Sequence, residues 1–128
     1  MEKIRILVVD DYPMMARAWA KALTNSGRYE ATTAMNGREG LERLRENPVD
    51  IVLTDNNMPV MDGPEFVRLA KQDFPKLPFI LTGAEAIGVD LAVIAQECGA
   101  AAYLPKPVDF EELERTIQAL VHTKKGGL

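Results

Sequence analysis

Short apolar runs rich in β-branched residues alternate along this chain with stretches in which apolar residues recur every three or four positions. The runs have the length of single strands, and the stretches between them have the period of amphipathic helices. Such alternation predicts βαβ units, in which helices connect parallel strands. We predict five strands: Ile4–Val9, Tyr29–Ala34, Ile51–Asp55, Pro78–Thr82 and Ala101–Leu104.

Five helices are predicted from the apolar stripes and from capping residues. Asn36, Asp62 and Asp109 are typical N-caps, and Asn47-Pro48 ends the second helix. The predicted buried residues are Met15, Trp19, Ala22 and Leu23 in the first helix, Leu41 and Leu44 in the second, Phe66, Val67 and Ala70 in the third, Ile87, Leu91, Ile94 and Cys98 in the fourth, and Phe110, Leu113, Ile117 and Leu120 in the fifth.

The first, third and fourth strands are continuously apolar, which is typical of strands buried on both faces of a sheet. The second strand is more polar and the fifth is short, so both suit the edges. We therefore predict an α/β fold with a doubly wound, five-stranded parallel sheet in the order 2-1-3-4-5, five helices on both faces, and a flavodoxin-like topology. In this order a ligand crevice opens where the first and third strands end.

A length of 128 residues favours one domain, predicted here as residues 1–122 with a flexible tail at 123–128. No apolar run is long enough to cross a membrane, and a net charge of −4 offers no basic surface for nucleic acid or membrane. The chain reaches the acidic pair Asp10-Asp11 after one short apolar run, which is unlike a secretory signal, and the single Cys98 cannot form an internal disulfide. These features favour a cytoplasmic protein.

Asp10, Asp11 and Asp55 follow the strands that border the predicted crevice. A lone Asp at such a position is most often a helix N-cap, and Asp11 before Tyr12-Pro13 is well placed for that role. Three converging carboxylates repel one another, however, and need a cation or raised pKa values. Oxygen ligands without a nearby histidine favour Mg²⁺.

Thr82 ends the fourth strand and Lys106 follows the fifth, so a hydroxyl and an ammonium join the carboxylates at the same edge. Each residue alone has an ordinary explanation as strand or surface polarity. Together they suit phosphoryl transfer, in which a carboxylate attacks phosphorus while cations neutralise the phosphoryl oxygens. Asp55, alone at the end of its strand, is the best candidate nucleophile.

The set resembles the receiver domains of two-component response regulators, including the single receivers of chemotaxis. The matching segments are Asp10-Asp11, the run from Asp55 to Gly63, Thr82, and Gly99-Ala100 leading to Tyr103 and Lys106-Pro107. The resemblance implies that Asp55 accepts a phosphoryl group, that Asp10, Asp11, Asp55 and the backbone carbonyl of Asn57 hold Mg²⁺, and that Lys106 contacts the phosphoryl group. It also implies a switch pair, Thr82 and Tyr103, and a cis peptide between Lys106 and Pro107.

By the same resemblance, the phosphoryl donor is a histidine kinase or a histidine phosphotransfer protein. The output is then a downstream protein or a second copy, bound through helix 4, strand 5 and helix 5. Val89 and Val93 lie four residues apart and predict a partly exposed apolar strip on that face. The chain is predicted to be either a stand-alone receiver or part of a longer protein.

The residues alone are compatible with two other functions. A small Mg²⁺-dependent phosphohydrolase would use the same aspartyl phosphate, but it would normally need an acid two residues after the nucleophile, where this chain has Asn57. A phosphate-independent interaction module on the same fold would be favoured by the loss of a site residue, and none is missing.

Overall fold

The computed structural model describes residues 2–125 of the chain, with side chains as far as Val121. Five strands form one sheet in which every neighbouring pair is parallel, in the order β2-β1-β3-β4-β5. The predicted fold class and strand order are confirmed. The strands are β1 (Ile4–Val9), β2 (Tyr29–Ala34), β3 (Ile51–Asp55), β4 (Phe79–Gly83) and β5 (Ala102–Pro105). The first three have the predicted bounds, and the last two are shifted by one residue.

The helices are α1 (Pro13–Asn25), α2 (Gly37–Glu46), α3 (Gly63–Asp73), α4 (Leu91–Cys98) and α5 (Phe110–Lys125). Helix α5 continues through Lys125, so half of the segment expected as a tail is helical, and residues 126–128 lie outside the described residues. No helix in the described part of the chain is long and apolar enough to span a membrane.

The two faces of the sheet carry separate cores. Alternate residues of the strands face opposite sides, so Leu7 and Val9 pack against α2 and α3, whereas Ile6 and Val8 pack against α1 and α5. Helix α4 covers Leu81 on the α3 side of the sheet. Burial on both faces holds the strands rigidly, so the residues that follow them have fixed positions.

The predicted N-caps of α2, α3 and α5 are confirmed. The side chains of Asn36, Asp62 and Asp109 accept hydrogen bonds from the backbone N–H of the residues three positions later, at 2.9–3.0 Å. These bonds satisfy donors that the first helical turn leaves unpaired. The predicted buried residues of α2 and α3 are also buried.

The predicted buried stripe of α1 was partly wrong. Met15 and Ala22 are exposed, and the buried residues are Ala16 and Leu23. The two candidate rows have the same seven-residue spacing and differ by one position, so periodicity alone does not choose between them. Trp19 lies between the rows and stacks on Phe110 of α5, with ring centroids 6.3 Å apart.

Ile87 was wrongly predicted to lie in the fourth helix. The helix begins later, because Asp90 is its N-cap and accepts a hydrogen bond from Val93 N–H at 3.2 Å. Ile87 therefore lies in the loop before α4 and is fully exposed. The predicted exposure of Val89 and Val93 is confirmed, at 40% and 45%.

Gly63, the first residue of α3, is where the loop after β3 returns to the strand end. Its N–H donates to Asn56 O at 3.0 Å, and a Cβ at this position would lie 2.2 Å from Asp55 O. No side chain fits that space, so the close return of the chain requires glycine.

We predict that Gly63→Ala destabilises the protein by about 3 kcal/mol, because the new methyl group forces Asp55 and the loop apart. Urea unfolding measures the effect. Gly27→Ala is the control: nothing lies within 4 Å of its Cβ, and only its φ of +83° is unfavourable. That change should cost about 1 kcal/mol. Equal losses in the free energy of unfolding of the two variants would contradict a steric requirement for glycine at Gly63.

Candidate functional site

The acidic residues converge because β1 and β3 are neighbours. Val9 is paired with Thr54, so Asp10 and Asp55 come next at the same edge of the sheet. Carboxylate oxygens of Asp10, Asp11 and Asp55 all lie within 4.8 Å of one another. Asp10 and Asp55 are buried, whereas Asp11 is exposed. The structure thus brings together the three carboxylates that the sequence singled out.

The capping explanation considered for Asp11 does not hold. Tyr12 is the N-cap residue of α1, and the helix has no side-chain cap. Tyr12 N–H instead donates to Asp10 Oδ1 at 3.0 Å. Asp10 is therefore fixed by the start of α1, and Asp11 extends from the same turn toward the cluster.

Lys106 reaches the cluster from the end of β5. Its Nζ lies 3.2 Å from Asp55 Oδ1, and its side chain is about one-third exposed. Its backbone N–H donates to Gly83 O at 2.9 Å, and the following peptide bond, to Pro107, is cis. The ammonium is thus held beside the candidate nucleophile by the pairing of β4 with β5.

Thr82 lies directly opposite Asp55 in the register of β3 and β4. Its hydroxyl is buried, and no side-chain or backbone partner for it exists among the described residues. A buried hydroxyl without a hydrogen bond costs free energy, and a new acceptor at the site would recover that cost. Tyr103 lies opposite Leu81, one strand further out, and is 43% exposed.

Asn56 has a positioning role that the sequence analysis missed. Its backbone N–H lies 2.9 Å from Asp55 Oδ1 and 2.7 Å from Thr82 O, so one donor holds the carboxylate and the end of β4. The contact belongs to the backbone, and residue type alone therefore gives no signal for it. Asn57, the next residue, is exposed on the same loop.

A cavity of about 420 Å³ lies beside Asp10, where β1 and β3 end and the sequence predicts a ligand crevice. Asp10, Thr82 and Lys106 line its polar end. Its remaining walls are the apolar residues Val8, Val9, Met15, Trp19, Leu53, Pro107 and Val108.

Burial raises the pKa of the Asp55 carboxyl above its ordinary value. The Lys106 ammonium opposes this rise in pKa, and the neighbouring Asp10 adds to it. One ammonium also leaves two of the three carboxylate charges uncompensated. A cluster of hard oxygen ligands without histidine or cysteine fits a hard divalent cation, so the residues could hold a metal ion.

Comparison with known sequences agrees with this arrangement. The sequence model of the response regulator receiver domain matches residues 6–118. The chain belongs to this family. The receiver domain is 40% identical over 124 residues to the transcriptional regulatory protein ZraR of Klebsiella oxytoca, covering 96% of this chain and 28% of ZraR. It is 36% identical to the DNA-binding transcriptional regulator NtrC of Escherichia coli, covering 94% of this chain and 25% of NtrC.

Solved structures show the same architecture over their whole length. A response regulator receiver domain from Clostridium thermocellum has a TM-score of 0.88 and 31% identity, covering 98% of this chain and 99% of that one. The Vibrio cholerae chemotaxis protein CheY4 has a TM-score of 0.85 and 30% identity, covering 93% and 99%. The protein is thus a receiver domain of two-component signalling, and its role is in signalling rather than in metabolism.

We predict that Asp55→Asn stabilises the receiver domain at neutral pH in buffer with a chelator. The substitution removes a desolvated charge that faces Asp10. Because the folded pKa of Asp55 is raised, the carboxyl destabilises the folded state above that pKa. The gain in the free energy of unfolding should therefore shrink as the pH falls toward the ordinary pKa of Asp, near 3.9.

Denaturant unfolding of both proteins between about pH 3.5 and pH 7 measures this difference. Asp62→Asn is the control, because its carboxylate is exposed and asparagine caps a helix as well as aspartate does. A loss of stability in Asp55→Asn at neutral pH would mean that the Lys106 ion pair outweighs the cost of burial.

Proposed function

We propose that this receiver domain accepts a phosphoryl group on Asp55 from the phosphohistidine of a histidine kinase or a histidine phosphotransfer protein. The observation that carries the proposal is the Asp10, Asp11 and Asp55 cluster with Lys106 Nζ 3.2 Å from Asp55. We propose residues 1–122 as the functional unit, and the cytoplasm, where such kinases deliver phosphoryl groups, as its location.

In the proposed reaction, an oxygen of the Asp55 carboxylate attacks phosphorus, and the bond from phosphorus to the donor nitrogen breaks. The electron pair stays with the imidazole, which leaves as a neutral ring when its second nitrogen carries a proton. Lys106 offsets the negative charge on the phosphoryl oxygens, and Asn56 N–H keeps the carboxylate oriented. The domain in this way promotes its own phosphorylation and the later hydrolysis of the acyl phosphate.

We propose Mg²⁺ as the cation, with Asp10, Asp11, Asp55 and the backbone carbonyl of Asn57 as its protein ligands. Mg²⁺ prefers oxygen ligands and retains positions for water and phosphoryl oxygens. When bound, it would offset the carboxylate repulsion and the added charge of the phosphoryl group. The proximity of the three side-chain carboxylates supports this assignment.

Thr82 and Tyr103 form the proposed switch. The unpartnered Thr82 hydroxyl gains an acceptor when a phosphoryl group arrives, and its movement vacates space next to β5 that Tyr103 can fill. The face of α4, β5 and α5 then differs between the two states, and a downstream protein or a second copy binds it. We propose no direct contact with nucleic acid or membrane.

We predict that a small acyl phosphate adds one phosphoryl group to the wild-type protein in the presence of Mg²⁺ and none after chelation. Asp55→Asn should remain unlabelled, because the amide is not a nucleophile at this site. Intact-mass measurement detects the addition. Asp62→Asn serves as the matched control and should label like wild type. Equal labelling of Asp55→Asn would show that the phosphoryl group is attached elsewhere.

We further predict that Thr82→Ala accepts the phosphoryl group but transmits less of the change to Tyr103. The variant lacks the hydroxyl that would move toward the phosphoryl oxygens. NMR can compare the shift of the Tyr103 amide on phosphorylation in the two proteins, and the expected shift is smaller in the variant. Identical shifts would disprove the coupling through Thr82.

A further inference from the structure

Nine large apolar side chains among the described residues are substantially exposed, and they form two groups. Five lie on the loops that follow β1, β2 and β3 or in the first turn of α1, around the acidic site. The other four lie on α4, on β5 and on the loop that precedes α4. We call these four the α4 patch: Ile87, Val89, Val93 and Tyr103.

Within the α4 patch Val89 connects the helix with β5, and Ile87 lies two residues before it on the same loop. Val89 and Val93 are four residues apart, and Asp90 fixes the turn between them by capping α4. Val89 and Tyr103 line one cavity of about 270 Å³ between the loop before α4 and β5. Glu85 and Asp90 line the same cavity.

The charged side chains on the segment that carries the α4 patch are all acidic. Residues 77–105 include Glu85, Asp90 and Glu97 but no lysine or arginine. All three carboxylates are exposed, and none takes part in an ion pair within the described part of the chain. Elsewhere acidic residues do have basic neighbours, as Glu114 has Arg28 and Glu39 has Arg43.

We propose that the α4 patch binds a basic amphipathic segment of a different protein, an inference that rests on the proposed function of this face. Apolar side chains of the partner cover Val89 and Val93. A lysine or arginine enters the cavity, where the carboxylates of Glu85 and Asp90 attract it and the ring of Tyr103 offers a cation–π contact. Movement of Tyr103 on phosphorylation changes the cavity and so changes the affinity.

A second copy of the chain fits this surface poorly. A two-fold dimer through the α4 patch brings the same surface of both copies together. Each copy contributes Glu85, Asp90 and Glu97, and residues 77–105 supply no basic side chain to pair with them. Opposed like charges lower the affinity, so charge complementarity favours a basic partner over self-association.

Selection from a displayed library of random peptides tests the proposal, with the full chain as bait, with and without a small acyl phosphate. The selected peptides should combine apolar residues with lysine or arginine, and phosphorylation should strengthen their binding. Val93→Ser should weaken binding of the selected peptides, because it removes apolar contact without adding a charge. Glu85→Gln/Asp90→Asn should weaken it about three- to tenfold, because asparagine keeps the α4 cap while both charges are lost.

Glu30→Gln/Glu42→Gln is the matched control, since it removes two exposed charges outside the α4 patch and should leave peptide affinity unchanged. The proposal would be overturned if the selected peptides were neutral or acidic. It would also be overturned if the selected peptides bound Glu85→Gln/Asp90→Asn as tightly as wild type. A phosphorylation-induced dimer that Val93→Ser abolishes, measured by sedimentation, would overturn it as well. Intact mass is recorded for every sample. A protein that takes no phosphoryl group contradicts the proposed function, whereas the charge of the selected peptides tests the proposal for the α4 patch.

Discussion

Repulsion among three carboxylates in one crevice is the constraint on which the rest of this receiver domain depends. Asp10 and Asp55 are buried at adjacent strand ends, and among the residues that the structure describes only Lys106 forms an ion pair with either of them. Burial and Asp10 raise the pKa of Asp55, so the site lowers the stability of the unliganded protein. A cation relieves this repulsion, and the same carboxylates that create it are the oxygen ligands such a cation needs.

Backbone groups hold the carboxylates in place against that repulsion. Asn56 N–H binds both Asp55 and the end of β4, and Tyr12 N–H binds Asp10. Gly63 allows the loop after β3 to return within contact of Asp55, which no larger residue permits. The sheet below is buried on both faces, so these contacts act on a closely packed base.

The sequence predicts the sheet and the site well because both depend on strand ends. Continuous apolar runs identify the central strands, and Asp10, Asp55 and Thr82 are recognisable as polar residues where such runs stop. Helical faces are harder to predict. Met15 and Ala16 belong to adjacent rows of equal spacing, and only the packing of Ala16 and Leu23 against the sheet shows which row is buried. The role of Asn56 is invisible in sequence because its backbone makes the contact.

The register of β4 and β5 explains how a change at Asp55 can reach the α4 patch without a long chain of contacts. Lys106 contacts Asp55 directly and is bonded through its backbone to Gly83, the residue after Thr82. Tyr103 lies on β5, three residues before Lys106, and is paired with Leu81, the residue before Thr82. Thr82 is paired with Leu104 of the four-residue strand β5, and Lys106 directly follows that strand. Because that strand is at the edge of the sheet, it can adjust without breaking pairing on its outer side. Any movement of β5 must alter the cavity that Tyr103 shares with Glu85 and Asp90.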